Sequence, residues 1–291
     1  FNVERIIERY GFPEGEPLLP PWMALTLRDP ELGLRRVPES ARVVGLLNKV
    51  PLNGHERARA RLVAQIMLRS MRVEAVALGA VQSPNDPIHE VQHRVAAVVL
   101  AAGQSVRMGR SKPLLPWADG QTVIETIVRR LLSFRFSEIV VVTGHQGDDV
   151  RRALAHLPVT FADNPDYASR EMISSLQVGL GALPETTSGA LVVLGDQPTL
   201  NGRVVGQVLA AYAEGRGTIV APVYRGERGH PVLFDRRHWP DLLALETGAP
   251  RDVIRQTPDS LALVKVNSDS ILMDIDTPEQ YQRARYLAGL G

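Results

Sequence analysis

Two cationic side chains follow a glycine just beyond an apolar run that ends at Leu100. In the stretch LAAGQSVRMGRSK, Gly103 is followed by Arg107, Gly109 and Lys112. Glycine allows positive φ and close approach of a ligand to the main chain, and backbone N–H groups in such a loop can bind an anion. Arginine can hold phosphate oxygens through two N–H groups. We interpret the stretch as a loop that wraps a triphosphate, although an ordinary turn with surface charges explains the glycine spacing equally well.

A carboxylate follows a second apolar run. Asp196 comes directly after ALVVLG (190–195) and shortly before Pro198. A carboxylate near phosphates can hold Mg²⁺, a hard cation that prefers oxygen ligands. The competing interpretation is an aspartate that forms a turn ahead of the proline.

The elements that position these residues are predicted by four Val-rich runs. They are VAAVVLA (95–101), EIVVVTG (138–144), ALVVLGD (190–196) and TIVAPVY (218–224). Such runs are typical of strands buried on both faces of a parallel sheet, and amphipathic segments of helical spacing lie between them. We predict an α/β fold with a doubly wound, mainly parallel sheet, in which ligands bind beyond the carboxyl ends of the strands.

The composition argues against several other classes of protein. The 291 residues carry 33 Lys+Arg against 32 Asp+Glu, a balance that disfavours nucleic-acid or membrane-surface binding. The chain has no cysteine, so disulfides, thiolate metal sites and a cysteine nucleophile are excluded. No apolar run approaches the ~20 residues of a membrane span, and the first residues do not resemble a secretory signal. We expect a cytoplasmic protein with neither nucleic-acid nor membrane partners.

The stretch LAAGQSVRMGRSK resembles the signature L-A-x-G-x-S-x-R-M-G-x-x-K of nucleotidyltransferases, which join a nucleoside triphosphate to a phosphorylated acceptor. Within them it is most similar to the molybdenum cofactor cytidylyltransferases, in the MobA/MocA-like NTP transferase family. The resemblance implies a Rossmann-like nucleotidyltransferase fold. It also implies that the nucleotide is bound by the following residues: Leu100, Ala101, Ala102, Gly103 and Gly109.

Two further features bear on the nucleotide. In this family the form LAAG accompanies CTP and LAGG accompanies the guanylyl enzymes, so Ala102 favours cytosine. The stretch NPDYASREMISSLQVGL (164–180) resembles the family segment that borders the nucleotide, which implies that Ser174 and Ser175 hydrogen-bond the base or ribose. Glu171 stands where the family has glycine, and serines near a helix start are often only caps.

The stretch MDIDTPEQY (273–281) resembles the family's closing segment D-I-D-T-P-E-D. The resemblance implies a metal ion, Mg²⁺ or Mn²⁺, with Asp196 and Asp276 as ligands and Asp274 as the less favoured candidate. A helix start at Thr277-Pro278 is the competing explanation of the segment.

Two other segments resemble parts of the family that face the acceptor substrate. GHPVLF (229–234) resembles a family segment that faces the acceptor and makes His230 a candidate, although a lone histidine is as often a packing residue. Arg251 lies in TGAPRD, which resembles the family's G-x-R-D, with Pro250 interrupting the match. The resemblance places Arg251 against the phosphate of a pterin substrate.

The chemistry that the resemblance implies needs no covalent intermediate. The phosphate of molybdopterin attacks the α-phosphorus of CTP, and pyrophosphate leaves. Arg107, Lys112 and Asp196 are then the catalytic residues, acting by positioning and charge neutralisation. A molybdenum hydroxylase apo-enzyme is a candidate partner. Two alternatives stay open: a different phosphorylated acceptor such as a sugar phosphate, and a cofactor chaperone without catalytic activity.

The first 92 residues are predicted to form a smaller α/β domain, with the nucleotidyltransferase domain at 93–291. The segments 41–50, 56–71 and 73–81 have the pattern strand, helix, strand. They resemble the latter half of a P-loop-like, YqeC-like accessory family linked to selenium-dependent molybdenum hydroxylases. No phosphate loop is present in them, and Pro51 stands where a guanine-reading carboxylate is expected. We therefore expect a packing or docking role rather than GTP hydrolysis.

Overall fold

A computed structural model describes residues 44–47, 60–61, 64–65, 68, 75–79, 88–168 and 172–290. These residues fall into two compact units. The first holds the described residues up to Arg94 with Thr186–Ser188 and Ala213–Arg216, and the second holds Val95–Glu185, Gly189–Tyr212 and the residues from Gly217 onward. Among the described residues no helix is long and apolar enough to cross a membrane.

The first unit contains a three-stranded sheet. Its strands are β1 (Val44–Leu47), β2 (Ala75–Gly79) and β3 (Ile88–His93), in the order β1-β2-β3. β1 and β2 are parallel, as a strand–helix–strand pattern requires, and β3 pairs antiparallel with β2. The assignment of residues 1–92 as an accessory domain falls largely outside the described residues and stays a prediction.

The second unit contains eight strands and seven α-helices within its described residues. The strands are β4 (Val95–Leu100), β5 (Ile139–Thr143), β6 (Thr160–Asp163), β7 (Gly189–Leu194), β8 (Ile219–Tyr224), β9 (Glu227–Arg228), β10 (Val232–Asp235) and β11 (Leu261–Lys265). The helices are α1 (Val123–Leu132), α2 (Gly147–Leu154), α3 (Met172–Gly181), α4 (Gly202–Ala213), α5 (Trp239–Ala244), α6 (Pro250–Gln256) and α7 (Pro278–Leu287).

The sheet of this unit is mainly parallel and doubly wound, which confirms the predicted fold class. Its order is β11-β8-β10-β7-β4-β5-β6, with β9 paired to β8 and β10 antiparallel to both of its neighbours. The chain runs outward from β4 through β5 and β6 and then returns to β7 on the other side of β4. Such a reversal of strand order opens a crevice at the carboxyl ends of the two strands involved.

Helices cover both faces of this sheet. One hydrophobic cluster joins α1, α2, α4 and α7 to the sheet, and a second joins α3, α5 and α6 to it. Successive residues of β4 alternate between the two clusters, as the period of two in a strand requires. Burial on both faces explains why β4, β5 and β7 appear in the sequence as uninterrupted apolar runs.

A buried tyrosine on α4 is expected to make the second unit less stable at alkaline pH. Tyr212 is 4% exposed, and its hydroxyl donates a hydrogen bond to Asp235 Oδ2 at 2.7 Å. Burial raises the pKa of this phenol well above its ordinary value. As the pH rises past about 10, the unfolded chain therefore loses this proton first. The contribution of Tyr212 is fully present below that pH and declines above it.

We expect the Tyr212→Phe variant to lose less stability than the wild type between about pH 8 and pH 11, because Phe has no phenol proton to lose. Urea unfolding at several pH values measures the free energy of unfolding. Tyr286→Phe, at a tyrosine that is 77% exposed, is the matched control and should keep the wild-type pH dependence. Equal alkaline slopes for the wild type and Tyr212→Phe would contradict the assignment.

Candidate active site

The ends of β4 and β7 meet side by side. Leu100 pairs in register with Leu194, and the backbone N–H of Gly195 donates to Leu100 O at 2.9 Å. A Cβ at Gly195 would lie 2.6 Å from that same oxygen, so only glycine allows the two chains to approach this closely. This contact brings the loop after β4 beside Asp196.

The loop after β4 folds back on itself through a short 3₁₀ turn, Val106–Met108. Ser105 and Gly109 flank the turn with left-handed φ angles of 54° and 66°. Met108 is buried and anchors the turn, and Ser105 Oγ accepts a hydrogen bond from the backbone N–H of Lys112 at 3.1 Å. The fold of the loop therefore fixes where the side chain of Lys112 begins.

Lys112 joins the two predicted metal ligands. Its Nζ lies 2.9 Å from Asp196 Oδ2 and 2.5 Å from Asp276 Oδ1. Arg107 Nη2 lies 2.9 Å from the other carboxylate oxygen of Asp276. The Lys112 side chain is 12% exposed, whereas that of Arg107 is 70% exposed. The structure thus gathers two cations and two carboxylates from three distant parts of the chain.

These contacts shift the pKa values of Lys112 and Asp276. Burial by itself lowers the pKa of Lys112, but the attraction of Asp196 and the hydrogen bonds to both carboxylates outweigh it and leave the pKa raised. The hydrogen bond from Lys112 lowers the pKa of Asp276, and Arg107 adds to the effect. Lys112 and Asp276 therefore both stay charged across the neutral range.

A cavity of about 460 Å³ opens over this cluster. Ten of the candidate residues line it, the less favoured Asp274 among them: Leu100, Ala101, Ala102, Gly103, Arg107, Lys112, Ser175, Asp196, Asp274 and Asp276. The cavity is the right size for a nucleotide, since pockets for small molecules commonly measure about 300–1,000 Å³. The loop after β4 and the acidic residues therefore face one common space.

The two candidate serines differ in their environment. Ser175 lines the cavity, whereas Ser174, one position away on α3, is 3% exposed and does not. Both hydroxyl oxygens accept a hydrogen bond from the side-chain amide of Asn164, at 2.9 and 3.0 Å. The amide of Asn164 thereby fixes the start of α3 against the end of β6.

Gly109, His230 and Arg251 also lie away from the cavity wall. Gly109 ends the 3₁₀ turn of the loop after β4. His230 sits beside the segment after β11, with its backbone N–H donating to Ile271 O at 3.0 Å. Burial lowers the pKa of its imidazole, and Nδ1 has no hydrogen-bond partner. Arg251 is exposed on α6. The acceptor-binding roles of these last two residues stay predictions.

Sequence reasoning missed a tyrosine in the cavity wall. Tyr167 lines the cavity and lies close to Ala102, because a Cβ at Gly144 would lie within 3 Å of the Cβ atoms of both. Its ring centroid is 6.0 Å from that of His145. The only signal in the sequence was an aromatic residue after the turn Asn164-Pro165-Asp166. The remaining residues of the cavity wall are Ser105, Pro113, Met172, Leu194 and Gly195.

The donor atoms suit a hard divalent cation. Asp196 and Asp276 direct carboxylate oxygens at the single ammonium of Lys112, which marks a point where a cation is held between them. Ions such as Mg²⁺ and Mn²⁺ take oxygen ligands, and Mg²⁺ commonly uses one or two carboxylates with substrate phosphates. The described residues hold no cluster of three or more His, Asp or Glu side chains placed to bind a metal alone. The residues present therefore fit a metal that is shared with a phosphate.

Comparisons with known proteins match the part of the chain that carries this site. Residues 97–261 match the family model described as the MobA-like NTP transferase domain. Molybdenum cofactor cytidylyltransferase of Escherichia coli (strain K12) is 28% identical over 197 residues, covering 66% of this chain and 95% of the relative. Nicotine blue oxidoreductase of Paenarthrobacter nicotinovorans is 33% identical over 199 residues, covering 65% of this chain and 95% of the relative.

A solved structure is also similar. A nucleotidyl transferase from Methanothermobacter thermautotroptrophicus superposes with a TM-score of 0.58 at 28% identity, covering 67% of this chain and 98% of that one. The family match includes the carboxyl ends of β4 and β7, the loop after β4 and Asp196.

Proposed function

The chain belongs to the family of MobA-like NTP transferase domains, and from this premise we propose that it transfers CMP from CTP to molybdopterin with release of pyrophosphate. Membership of the family makes the chain a transferase that uses a nucleoside triphosphate. The identities of the base, the acceptor and the metal go beyond what family membership establishes and are proposals.

The observation that carries the proposal is the meeting of Lys112, Asp196 and Asp276 at one wall of the cavity. Lys112 Nζ is within 3 Å of both carboxylates, and the backbone of Gly103 opens onto the same space. A polyphosphate needs cations and N–H donors on one side, and a divalent cation needs carboxylates on the other. Both requirements are met here.

Two observations favour CTP and molybdopterin. Ala102 is the residue that accompanies CTP in the resemblance, and it lines the cavity beside Tyr167. The relative that is 28% identical is named as a molybdenum cofactor cytidylyltransferase. A different relative is named as an oxidoreductase, so likeness to one relative does not by itself fix the base or the acceptor. The ion-paired cluster supports phosphoryl chemistry.

The proposed step is an in-line displacement. An oxygen of the acceptor phosphate forms a bond to the α-phosphorus of CTP, the bond to the bridging oxygen breaks, and pyrophosphate leaves with the electron pair. Arg107 and Lys112 hold the phosphate oxygens that become pyrophosphate and neutralise the charge that develops there. Asp196 and Asp276 would hold Mg²⁺ or Mn²⁺, and the bound metal supplies further charge neutralisation.

The proposal extends to where the product goes. A molybdenum hydroxylase apo-enzyme would receive the cytidylylated cofactor, and we propose a cytoplasmic location for this transfer. His230 and Arg251 are proposed to face the acceptor.

Product analysis tests the proposal. Purified protein is incubated with Mg²⁺, molybdopterin and CTP, GTP, UTP or ATP in turn, and mass spectrometry identifies the products. We expect a cytidylylated pterin and one pyrophosphate per product, with CTP preferred. The Arg110→Ala variant, at an exposed arginine of the same loop, should behave as the wild type.

Other outcomes would contradict specific parts of the proposal. Transfer to a sugar phosphate but not to molybdopterin would replace the acceptor, and preference for GTP would replace the base. Tight pterin binding without transfer from any nucleotide would identify a chaperone and overturn the catalytic proposal.

A further inference from the structure

The carboxylate of Asp276 is carried by irregular backbone. The segment from Met273 to Thr277 lies between a short 3₁₀ helix, Asp269–Leu272, and helix α7. Backbone N–H and C=O groups outside helices and strands still need hydrogen-bond partners. The partners of this segment therefore decide where the Asp276 carboxylate lies relative to Asp196.

One set of partners comes from the residues after β7. The backbone N–H of Ile275 donates to Asp196 O at 3.2 Å, which ties the two acidic segments together directly. Gln197, which is 2% exposed, donates from Nε2 to a carboxylate oxygen of Asp274 and to Ile271 O at 3.5 Å. At this position the glutamine acts as a hydrogen-bond donor.

The second set comes from the first turn of α7. Gln280 Oε1 accepts hydrogen bonds from the backbone N–H groups of Asp276 at 2.8 Å and Thr277 at 3.0 Å. The backbone N–H of Gln280 donates in turn to Thr277 Oγ1 at 3.3 Å, which completes a capping box. At this position the glutamine acts as a hydrogen-bond acceptor.

We propose that Gln197 and Gln280 are positioning residues that set the separation of the Asp196 and Asp276 carboxylates. Neither glutamine lines the cavity, so each acts through the backbone or the carboxylate that it holds. The inference rests on the proposed function, because a shared cation is what makes the separation matter. Groups that orient metal ligands in this way typically change metal affinity or activity by about 10–100-fold when they are removed.

The two glutamines differ in a way that one substitution can test. Glutamate has the shape of glutamine but accepts hydrogen bonds without donating them. Gln197→Glu removes the donor and sets a carboxylate against Asp274. Gln280→Glu keeps the accepting oxygen, and a negative charge at the start of a helix is favourable. The same change should therefore be harmful at 197 and tolerated at 280.

The experiment compares Gln197→Glu, Gln280→Glu and Gln280→Ala with matched changes at Gln282, an exposed glutamine of the same helix. Mn²⁺ affinity is measured by electron paramagnetic resonance, with kcat and KM for CTP and the melting temperature alongside. We expect Gln197→Glu and Gln280→Ala to bind Mn²⁺ about tenfold more weakly and to lose kcat by a similar factor. Gln280→Glu and both Gln282 variants should match the wild type.

The outcomes distinguish a failure of this inference from a failure of the proposed function. Wild-type Mn²⁺ affinity in Gln280→Ala overturns the positioning role, as does a loss in Gln280→Glu equal to that in Gln280→Ala. If Gln197→Glu fails to fold, the pair of Gln280 variants decides the matter alone. If the wild type transfers nucleotide and the two Gln280 variants have the same Mn²⁺ affinity as each other, this inference is refuted and the proposed function stands.

Discussion

The Lys112→Met variant is expected to bind Mn²⁺ more tightly than the wild type and yet to lose nucleotidyl transfer. Lys112 Nζ occupies the point between Asp196 and Asp276 where a divalent cation would be held. Methionine has a similar length without the charge, so it leaves Asp196 Oδ2 and Asp276 Oδ1 to the metal, while Arg107 still pairs with Asp276 Oδ2. The same change removes the cation that is proposed to neutralise the departing pyrophosphate, and losses of this kind reach about 100–1,000-fold in kcat.

A binding measurement and a rate measurement check this expectation. Mn²⁺ binding without nucleotide should strengthen by about tenfold or more, because two neighbouring carboxylates lose their neutralising partner. Pyrophosphate release under saturating CTP reports kcat. Arg110→Met removes a nearby exposed charge and should leave both values unchanged. Weaker Mn²⁺ binding in Lys112→Met, or turnover within about threefold of the wild type, would refute the dual role of Lys112.

The strands that bear the site were predictable because burial on both faces leaves a clear pattern. The four apolar runs correspond to β4, β5, β7 and β8. β6 and β10 have four residues each, and β6 is also partly exposed, so neither leaves a pattern that separates it from a turn. The position of β10 between β7 and β8 depends on pairing between distant segments, which no local pattern encodes.

The position of a site residue was predictable where the course of the strands alone determines it. Asp196 and the loop after β4 meet because neighbouring parallel strands end at the same edge. The sequence could not separate Ser174 from Ser175, since which of two adjacent helical residues faces the cavity depends on how α3 is rotated against the sheet. The environment of His230 could not be predicted either, because its backbone N–H donates to Ile271 O, a contact between distant parts of the chain that no local pattern encodes.

The two glycines of the loop after β4 differ in conformation. Glycine allows either a positive φ or the close approach of a ligand, and of the two only Gly109 has a positive φ. A Cβ at Gly103 would meet no protein atom within 4 Å. The fold itself therefore does not require glycine here, and the open space above the residue belongs to the cavity.

We therefore expect Gly103→Ala to keep the wild-type melting temperature and to lose about 100-fold in kcat/KM for CTP. The added methyl group would stand where phosphate oxygens approach the backbone, and misplacing a substrate by about 1 Å can cost a factor of this size. Isothermal titration of CTP and steady-state rates measure the loss, and thermal unfolding measures the fold.

Gly195→Ala and Gly109→Ala provide the contrast that isolates the effect. A Cβ at Gly195 would lie 2.6 Å from Leu100 O, so that variant should be destabilised by about 1–3 kcal/mol or more, the usual cost of overpacking. At Gly109 the left-handed φ of 66° makes alanine strained, and a cost of about 1–2 kcal/mol is expected. If Gly103→Ala binds CTP as the wild type does, the nucleotide lies elsewhere and the backbone of the loop is not its cradle.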